Sequence, residues 1–166
     1  MANTRTGTAH SWGVETSGYI DDIEFYIVEH RYTKHSGNKS HVNMETICLL
    51  RKPNLEIPDF YIRKEDPLFD GIEKHFGMQD INFAEDPTFS KRFVLQGKNI
   101  EGICNFFDSS VRLAFIENHP NSLLPYQYEG KDDKFLVYAD YFKDNKDRVI
   151  MLEKAIAIFK SFSNKN

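Results

Sequence analysis

Two long runs of strand-favouring residues, separated by a polar turn, constrain the fold of this chain more than any other feature of its sequence. The runs cover 23–33 and 41–50, and the turn between them centres on Gly37 and Asn38. Glycine and asparagine tolerate the left-handed backbone that a two-residue hairpin loop requires. The sequence therefore predicts a long antiparallel β-hairpin near the start of the chain.

The loop position also predicts the register of this hairpin, because opposed residues must lie at equal distances from the turn. Val28 is predicted to face Ile47, and His30 is predicted to face Glu45. Both faces are apolar far from the turn and polar near it. We therefore expect the base of the hairpin to be covered on both sides and its tip to project into water.

Shorter patterns predict the rest of the fold. Aspartate or asparagine caps, proline, glycine and helical spacing predict helices over 66–76, 99–106, 109–118 and 147–162. Short β-rich runs predict strands over 60–62, 92–96, 123–128 and 135–141, and 80–85 is predicted to be a loop or a short strand. Hairpins in place of crossovers favour an α+β fold, with an antiparallel sheet built from hairpins and about four helices packed mainly on one face.

Length and composition favour one folding unit. The chain has 166 residues, of which 40% are hydrophobic, and fourteen are phenylalanines. Such a chain can fill one core between a sheet and its helices. Residues 1–11 are small and polar and are predicted to be flexible, which leaves 12–163 as a single α+β domain.

Charge, apolar patterning and cysteine content narrow the partners and the compartment. The formal net charge of −4 argues against nucleic acid as a partner. No stretch of about 18 uncharged apolar residues occurs, so no integral membrane segment is predicted, although peripheral association with a membrane stays open. Cys48 and Cys104 lie among apolar neighbours and are interpreted as free thiols in a reducing compartment. A cytoplasmic location is therefore predicted.

The motifs of common catalytic classes are missing from the sequence. It contains no glycine-rich phosphate loop, no His-Glu-x-x-His zinc motif and no Gly-x-Ser-x-Gly nucleophile elbow. No cofactor is predicted. A catalytic site would have to be assembled from dispersed residues.

Histidines are the candidates for such dispersed chemistry. His30 with Glu45, or His75 with a nearby acid, could serve as a general base and its partner. His35 and His41 flank the hairpin turn and are candidate metal ligands. The simpler interpretation is structural: solvated residues at the hairpin tip, and in His30 a cross-strand neighbour of Glu45.

Four further residues are candidates for ligand binding. Arg31 and Tyr32 combine a cation with an aromatic ring on the hairpin, which could bind bases, but the glutamates of the same hairpin oppose that. Arg92 suits either bracing backbone carbonyls or contacting an anionic ligand. Asp80 either binds a ligand or fixes a turn.

Several segments together resemble a widespread family of uncharacterised bacterial proteins. They are Trp12-Gly13, Val28-Glu-His-Arg-Tyr-Thr33, Ile57-Pro-Asp-Phe-Tyr-Ile62, Gln79-Asp-Ile-Asn-Phe83, Phe89-Ser-Lys-Arg-Phe93 and Phe135-Leu-Val-Tyr138. The resemblance covers most of 12–162 and implies an architecture without an established activity, cofactor or catalytic residue. It also implies membrane tethering in relatives, where the domain often follows hydrophobic segments. This chain departs from the family in carrying His30 where an aromatic residue is usual.

These observations favour a non-catalytic binding, interaction or accessory domain with a protein or small-molecule partner. Two alternatives stay open. One is a hydrolase with a dispersed His/Glu site. The other is a binder of an apolar small molecule between sheet and helices, which the many phenylalanines suggest.

Overall fold

A computed structural model describes residues 10–36, 39–64, 79–119 and 126–163 of the chain. In these ranges strands and helices follow one another as β1 His10–Ile20, β2 Ile23–Ser36, β3 Lys39–Arg51, β4 Ile57–Lys64, β5 Gln79–Ile81, α1 Pro87–Arg92, β6 Phe93–Gly97, α2 Ile100–Phe106, α3 Ser109–Asn118, β7 Gln127–Asp132, β8 Lys134–Asp140 and α4 Asn145–Phe162.

The strands form one antiparallel sheet with the order β1-β2-β3-β8-β7-β4-β6-β5. Short turns join β1 to β2 and β7 to β8, and β3 meets β8 directly. The predicted α+β class, with an antiparallel sheet and helices on it, is confirmed.

The first hairpin has the predicted register. Val28 pairs with Ile47, and His30 pairs with Glu45, along the ladder between β2 and β3. The turn residues Gly37 and Asn38 lie outside the described residues. The position of a two-residue loop was therefore enough to set the pairing of two long strands.

The sequence analysis did not predict β1. This strand pairs with β2 from His10 to Ile20, and a β-bulge at Glu15 interrupts its register. Most of its side chains are exposed, and its serines, threonines and glycines weaken the alternation that marks a strand. The missed signal was the pair Asp21-Asp22 between two isoleucines, because Asp21 adopts a left-handed backbone with φ 55° as hairpin loops require.

The connection in the second hairpin is shorter than predicted. Residues 129–132, which were expected in the connection, belong to β7, and the last pair of the hairpin is Lys131 with Lys134. Asp132 supplies the left-handed backbone with φ 56°. Gly130 lies within β7, and a larger residue would not fit there because a Cβ would collide with the Phe60 ring of β4. A glycine read as a turn residue therefore serves close packing.

Two helices begin at their predicted caps. Asn99 accepts a hydrogen bond from the Gly102 N–H at the start of α2, and Asp108 accepts one from the Val111 N–H at the start of α3. Helix α4 begins slightly earlier than predicted, at Asn145. The short helix α1 was not predicted, and the predicted helix over 66–76 lies outside the described residues.

The core lies between one face of the sheet and the helices. Phe60, Tyr128 and Phe135 project from the sheet onto rings of α2, α3 and α4. The sheet residue Cys48 is buried on this face, and burial raises the pKa of its thiol. Every aromatic contact described between sheet and helices is made from this face. On the opposite face Ile47 is 4% exposed, and the expectation that the hairpin base is covered on both sides stays a prediction.

Phe115 of α3 is the test residue for this core. Its fully buried ring contacts those of Phe89, Phe93, Phe107, Tyr128, Phe135 and Phe162. Phe115→Ala is expected to lower the free energy of unfolding by about 3–5 kcal/mol, because it removes buried apolar surface and leaves a cavity. Leu113→Ala, on the exposed side of the same helix, should change it by less than about 0.5 kcal/mol. Urea denaturation of both variants measures the difference, and equal losses would contradict the assigned core.

Candidate functional site

The sheet face opposite the helices is the candidate functional surface. We call its part on β1, β2, β3 and β8 the open face. It is formed by alternate residues of the four paired strands, among them Trp12, Val14, Tyr19, Tyr26, Val28, His30, Tyr32, Glu45, Ile47, Leu49, Leu136, Tyr138 and Asp140. None of the described helices makes an aromatic contact with this surface.

His30 is the most constrained polar residue of the open face. Its Nδ1 donates to Glu45 Oε1 at 2.7 Å, because a carboxylate can only accept. Its Nε2 lies 2.9 Å from Nδ1 of His10. The Trp12 ring stacks on the imidazole at 3.7 Å between centroids and 8° between planes. His30 is only 7% exposed as a result.

These contacts occupy both ring nitrogens of His30. A histidine acting as general base for a nucleophile needs one ring nitrogen directed at a hydroxyl or thiol. Among the described residues, the hydrogen-bond partners of His30 are a carboxylate and a second imidazole. The sequence analysis thus identified the pairing of His30 with Glu45, and the catalytic role it attached to the pair stays a prediction without geometric support.

Glu45 faces Asp140 directly across β3 and β8. Like charges in opposed positions of a sheet destabilise it. His30 lies beside Glu45, whereas Asp140 is exposed and forms no ion pair within the described ranges. This end of the open face therefore presents a carboxylate that a positively charged group could neutralise.

The remaining predicted site residues do not assemble into one site. Tyr32 stacks near His30 at 5.1 Å on the open face, whereas Arg31 is its immediate neighbour in an extended strand and lies on the opposite face. In the hairpin register, His35 pairs with Ser40 and His41 pairs with Lys34. His75 lies outside the described residues. In the described ranges, no group of three or more His, Cys, Asp or Glu residues is arranged to hold a metal ion.

Arg92 and Asp80 make structural contacts. Arg92 Nη1 donates to the Ile116 carbonyl at 2.8 Å, near the end of α3. Asp80 Oδ1 accepts a hydrogen bond of 2.7 Å from Gln96 Nε2. The contact of Arg92 matches the bracing role that its sequence suggested. The ligand-binding roles of Arg92 and Asp80 stay predictions.

Two other arginines, Arg112 and Arg148, form hydrogen bonds from helices to a loop and to the sheet. The sequence analysis did not identify them. Arg112 of α3 is buried and donates from Nε to Asp86 at 2.9 Å, while its guanidinium lies over the Phe83 ring. The pKa of Asp86 is lowered by a hydrogen bond from the Phe89 N–H and by Arg112. Arg148 of α4 donates to Glu29 of β2. An arginine within an apolar helix pattern was the signal for Arg112.

His119 is a second buried imidazole, at the end of α3. It is 5% exposed, and its Nδ1 lies 2.7 Å from the Tyr128 hydroxyl. Burial, with a smaller contribution from the Arg92 charge, lowers the pKa of His119 to about 4. Burial also raises the pKa of Tyr128. Both groups are therefore neutral at pH 7, and the pair is a buried neutral hydrogen bond.

Comparisons with known proteins support the architecture alone. No family model and no curated protein matches the chain. A solved structure that it resembles is the crystal structure of the mycobacterial trehalose monomycolate transport factor A, TtfA, with a TM-score of 0.51 and 9% sequence identity. The match covers 93% of this chain and 86% of that chain. At this low identity, the structural likeness shows a shared fold alone.

The search for membrane spans gave a negative result. Within the described parts of the chain, each helix is either too short or too polar to cross a bilayer.

His30→Leu tests the structural role of the His30 contacts. The substitution removes two hydrogen bonds and leaves Glu45 beside Asp140 without its imidazole, so the free energy of unfolding should fall by about 1–3 kcal/mol. His41→Leu, at an exposed position of β3, is the matched control and should change it by less than about 0.5 kcal/mol. Chemical denaturation at pH 7 compares the two variants. If His30→Leu left the free energy of unfolding unchanged, the contacts would contribute nothing to stability.

His119 predicts a pH dependence of stability. Its pKa is about 4 in the folded chain and about 6.5 in an unfolded one. The unfolded state binds the proton more readily, so stability falls as the pH drops from about 6.5 towards 4. The full contribution is about 3 kcal/mol. Denaturation curves of the wild type and of His119→Gln over this pH range should diverge, with the steeper loss in the wild type, and parallel curves would refute the assignment.

Proposed function

We propose that this chain is a non-catalytic binding protein, an accessory factor that receives a protein partner on its open face. The observation that carries the proposal is the composition of this face. Val28, Leu49 and Leu136 form a half-buried aliphatic centre, and the carboxylates Glu45 and Asp140 lie at one end of it.

The chemistry of the open face defines the kind of partner that fits. Its aliphatic centre and the tyrosines beside it match the apolar core of a typical protein interface. The exposed Asp140 and its neighbour Glu45 match a lysine or arginine at the edge of the partner's contact surface. A partner with an apolar centre and basic residues around it would cover the aliphatic centre and neutralise the two carboxylates.

The state of the polar groups supports binding over catalysis. His30 and His119 are both held by neighbouring side chains, and the negative charge of the chain disfavours nucleic acid. The shared fold with a protein named as a transport factor is compatible with an accessory role. Membership of the uncharacterised bacterial family, a cytoplasmic location and peripheral association with a membrane complex remain predictions from the sequence, as do the hydrolase and small-molecule alternatives.

Site-specific photo-crosslinking tests this function. A photoreactive amino acid at Leu49, on the open face, should crosslink a protein partner in cells that express the chain. The same amino acid at Leu113, on the exposed side of α3, is the control and should give no such product. Absence of a crosslink from Leu49, or the same products from both positions, would contradict the proposal.

The crosslinked partner is then purified and its affinity measured directly. Asp140→Lys should weaken binding at least tenfold, because it places a positive charge against the basic residues of the partner. Glu117→Lys makes the same change of charge on exposed α3 and should leave the affinity within about twofold. Equal effects of the two substitutions would show that the partner responds to net charge and does not bind at the open face.

A further inference from the structure

The outer edge of β1 has no partner strand within the described parts of the chain. β1 pairs with β2 on one side and is the terminal strand in the order of the sheet. Trp12, Val14 and Tyr19 are 63%, 64% and 73% exposed. Edge strands are usually protected from pairing by charged side chains, proline, β-bulges or short length. β1 has eleven residues, no lysine and no proline, and its bulge at Glu15 leaves the five residues before it in regular register.

The stack of Trp12 on His30 determines which way the free face of the Trp12 ring points at this edge. The two residues are directly opposed on β1 and β2, and their rings are parallel at 3.7 Å. The line between the ring centres therefore runs across the strands, because neighbouring strands lie about 4.8 Å apart. The second face of the Trp12 ring points away from His30, towards the position that another strand would occupy.

The bulge at Glu15 limits the length of edge that can pair regularly. His10–Val14 precedes the bulge and contains no aspartate, glutamate, lysine or arginine. A strand added along these five residues would meet the exposed Trp12 and Val14 on one face. On the other face it would meet only Ser11 and Gly13, which offer no steric obstacle.

We propose that the strand added to this edge is β1 of a second copy of the chain, paired antiparallel and centred on Trp12. The two-fold axis then places the two Trp12 rings opposite each other. His10 of each copy lies opposite Val14 of the other, and Ser11 lies opposite Gly13. Aromatic pairs in opposed positions are among the most favourable in antiparallel sheets, and no like charges are opposed.

A second copy fits this edge because the segment is self-complementary. The row of rings His30–Trp12 continues across the axis into Trp12 and His30 of the second copy. Both exposed apolar side chains, Trp12 and Val14, gain a partner. The opposite edge of the sheet is β5, with three residues, so the assembly closes as a dimer and does not extend into a fibre.

The proposed dimer is an inference beyond the proposed function, and it would join the open faces of two copies into one larger surface. A two-fold axis perpendicular to the sheet keeps both open faces on the same side of one continuous sheet, so a bivalent partner could bind both. Five residues from each copy form a contact smaller than a standard interface of about 1,600 Å². We therefore expect a weak dimer, in reversible exchange with the monomer.

Sedimentation equilibrium and far-UV circular dichroism of the wild-type chain test the dimer directly. Trp12 is the single tryptophan of the sequence, so an exciton couplet between two indoles can arise only when two copies meet. Both the average mass and the couplet should rise together with protein concentration, from the micromolar to the millimolar range. A chain that stays monomeric over this range, or that dimerises without a couplet, would overturn the proposal.

Matched variants locate the contact on β1. Val14→Lys keeps Trp12 and introduces the charge that protects natural edges, so it should abolish both the dimer and the couplet. Tyr19→Ser, at a more exposed position of the same strand beyond the bulge, should leave both unchanged. The opposite pattern would contradict the placement. Photo-crosslinking from Leu49 should persist in the wild-type chain at concentrations where sedimentation shows only the monomer, so the outcome for the dimer and the outcome for the partner are read separately.

Discussion

The packing of aromatic rings between one face of the sheet and the helices is the constraint on which the rest of the structure depends. Phe60, Phe115 and Phe135 lie near its middle, each in contact with several other rings. Rings in edge-to-face contact fill space with few rotatable bonds, so the position of each helix over the sheet is closely determined. The described helices are committed to this face, and the other face is left to shorter side chains, tyrosines and charges.

Several polar groups near this core are paired with neighbouring side chains. Arg112 reaches Asp86, Arg148 reaches Glu29, and His119 reaches Tyr128. A buried charge or imidazole costs less when a partner satisfies it. The same logic applies at the surface to His30, which lies between a carboxylate and an imidazole. His30 and Glu45, the catalytic candidates of the sequence, contact each other here.

The sequence predicted those parts of the fold that depend on local geometry. A two-residue loop set the register of β2 and β3, and the Asn99 and Asp108 caps set the starts of α2 and α3. β1 escaped prediction because an exposed edge strand needs little apolar alternation and takes its order from β2. The contact of His30 with Glu45 followed from the register. The stack with Trp12 and the bond to His10 did not, because both depend on the unpredicted strand.

The join between β3 and β8 unites two halves of the sheet that are distant along the chain. Arg51 and Asp133, which are 82 residues apart in sequence, form a hydrogen bond of 2.6 Å at the end of this seam. The meander β1-β2-β3 contains only local turns, whereas the seam closes a long loop whose entropy must be lost before its contacts form. Folding of this chain is therefore expected to be limited by the rate at which its two halves meet, with the first hairpins already formed.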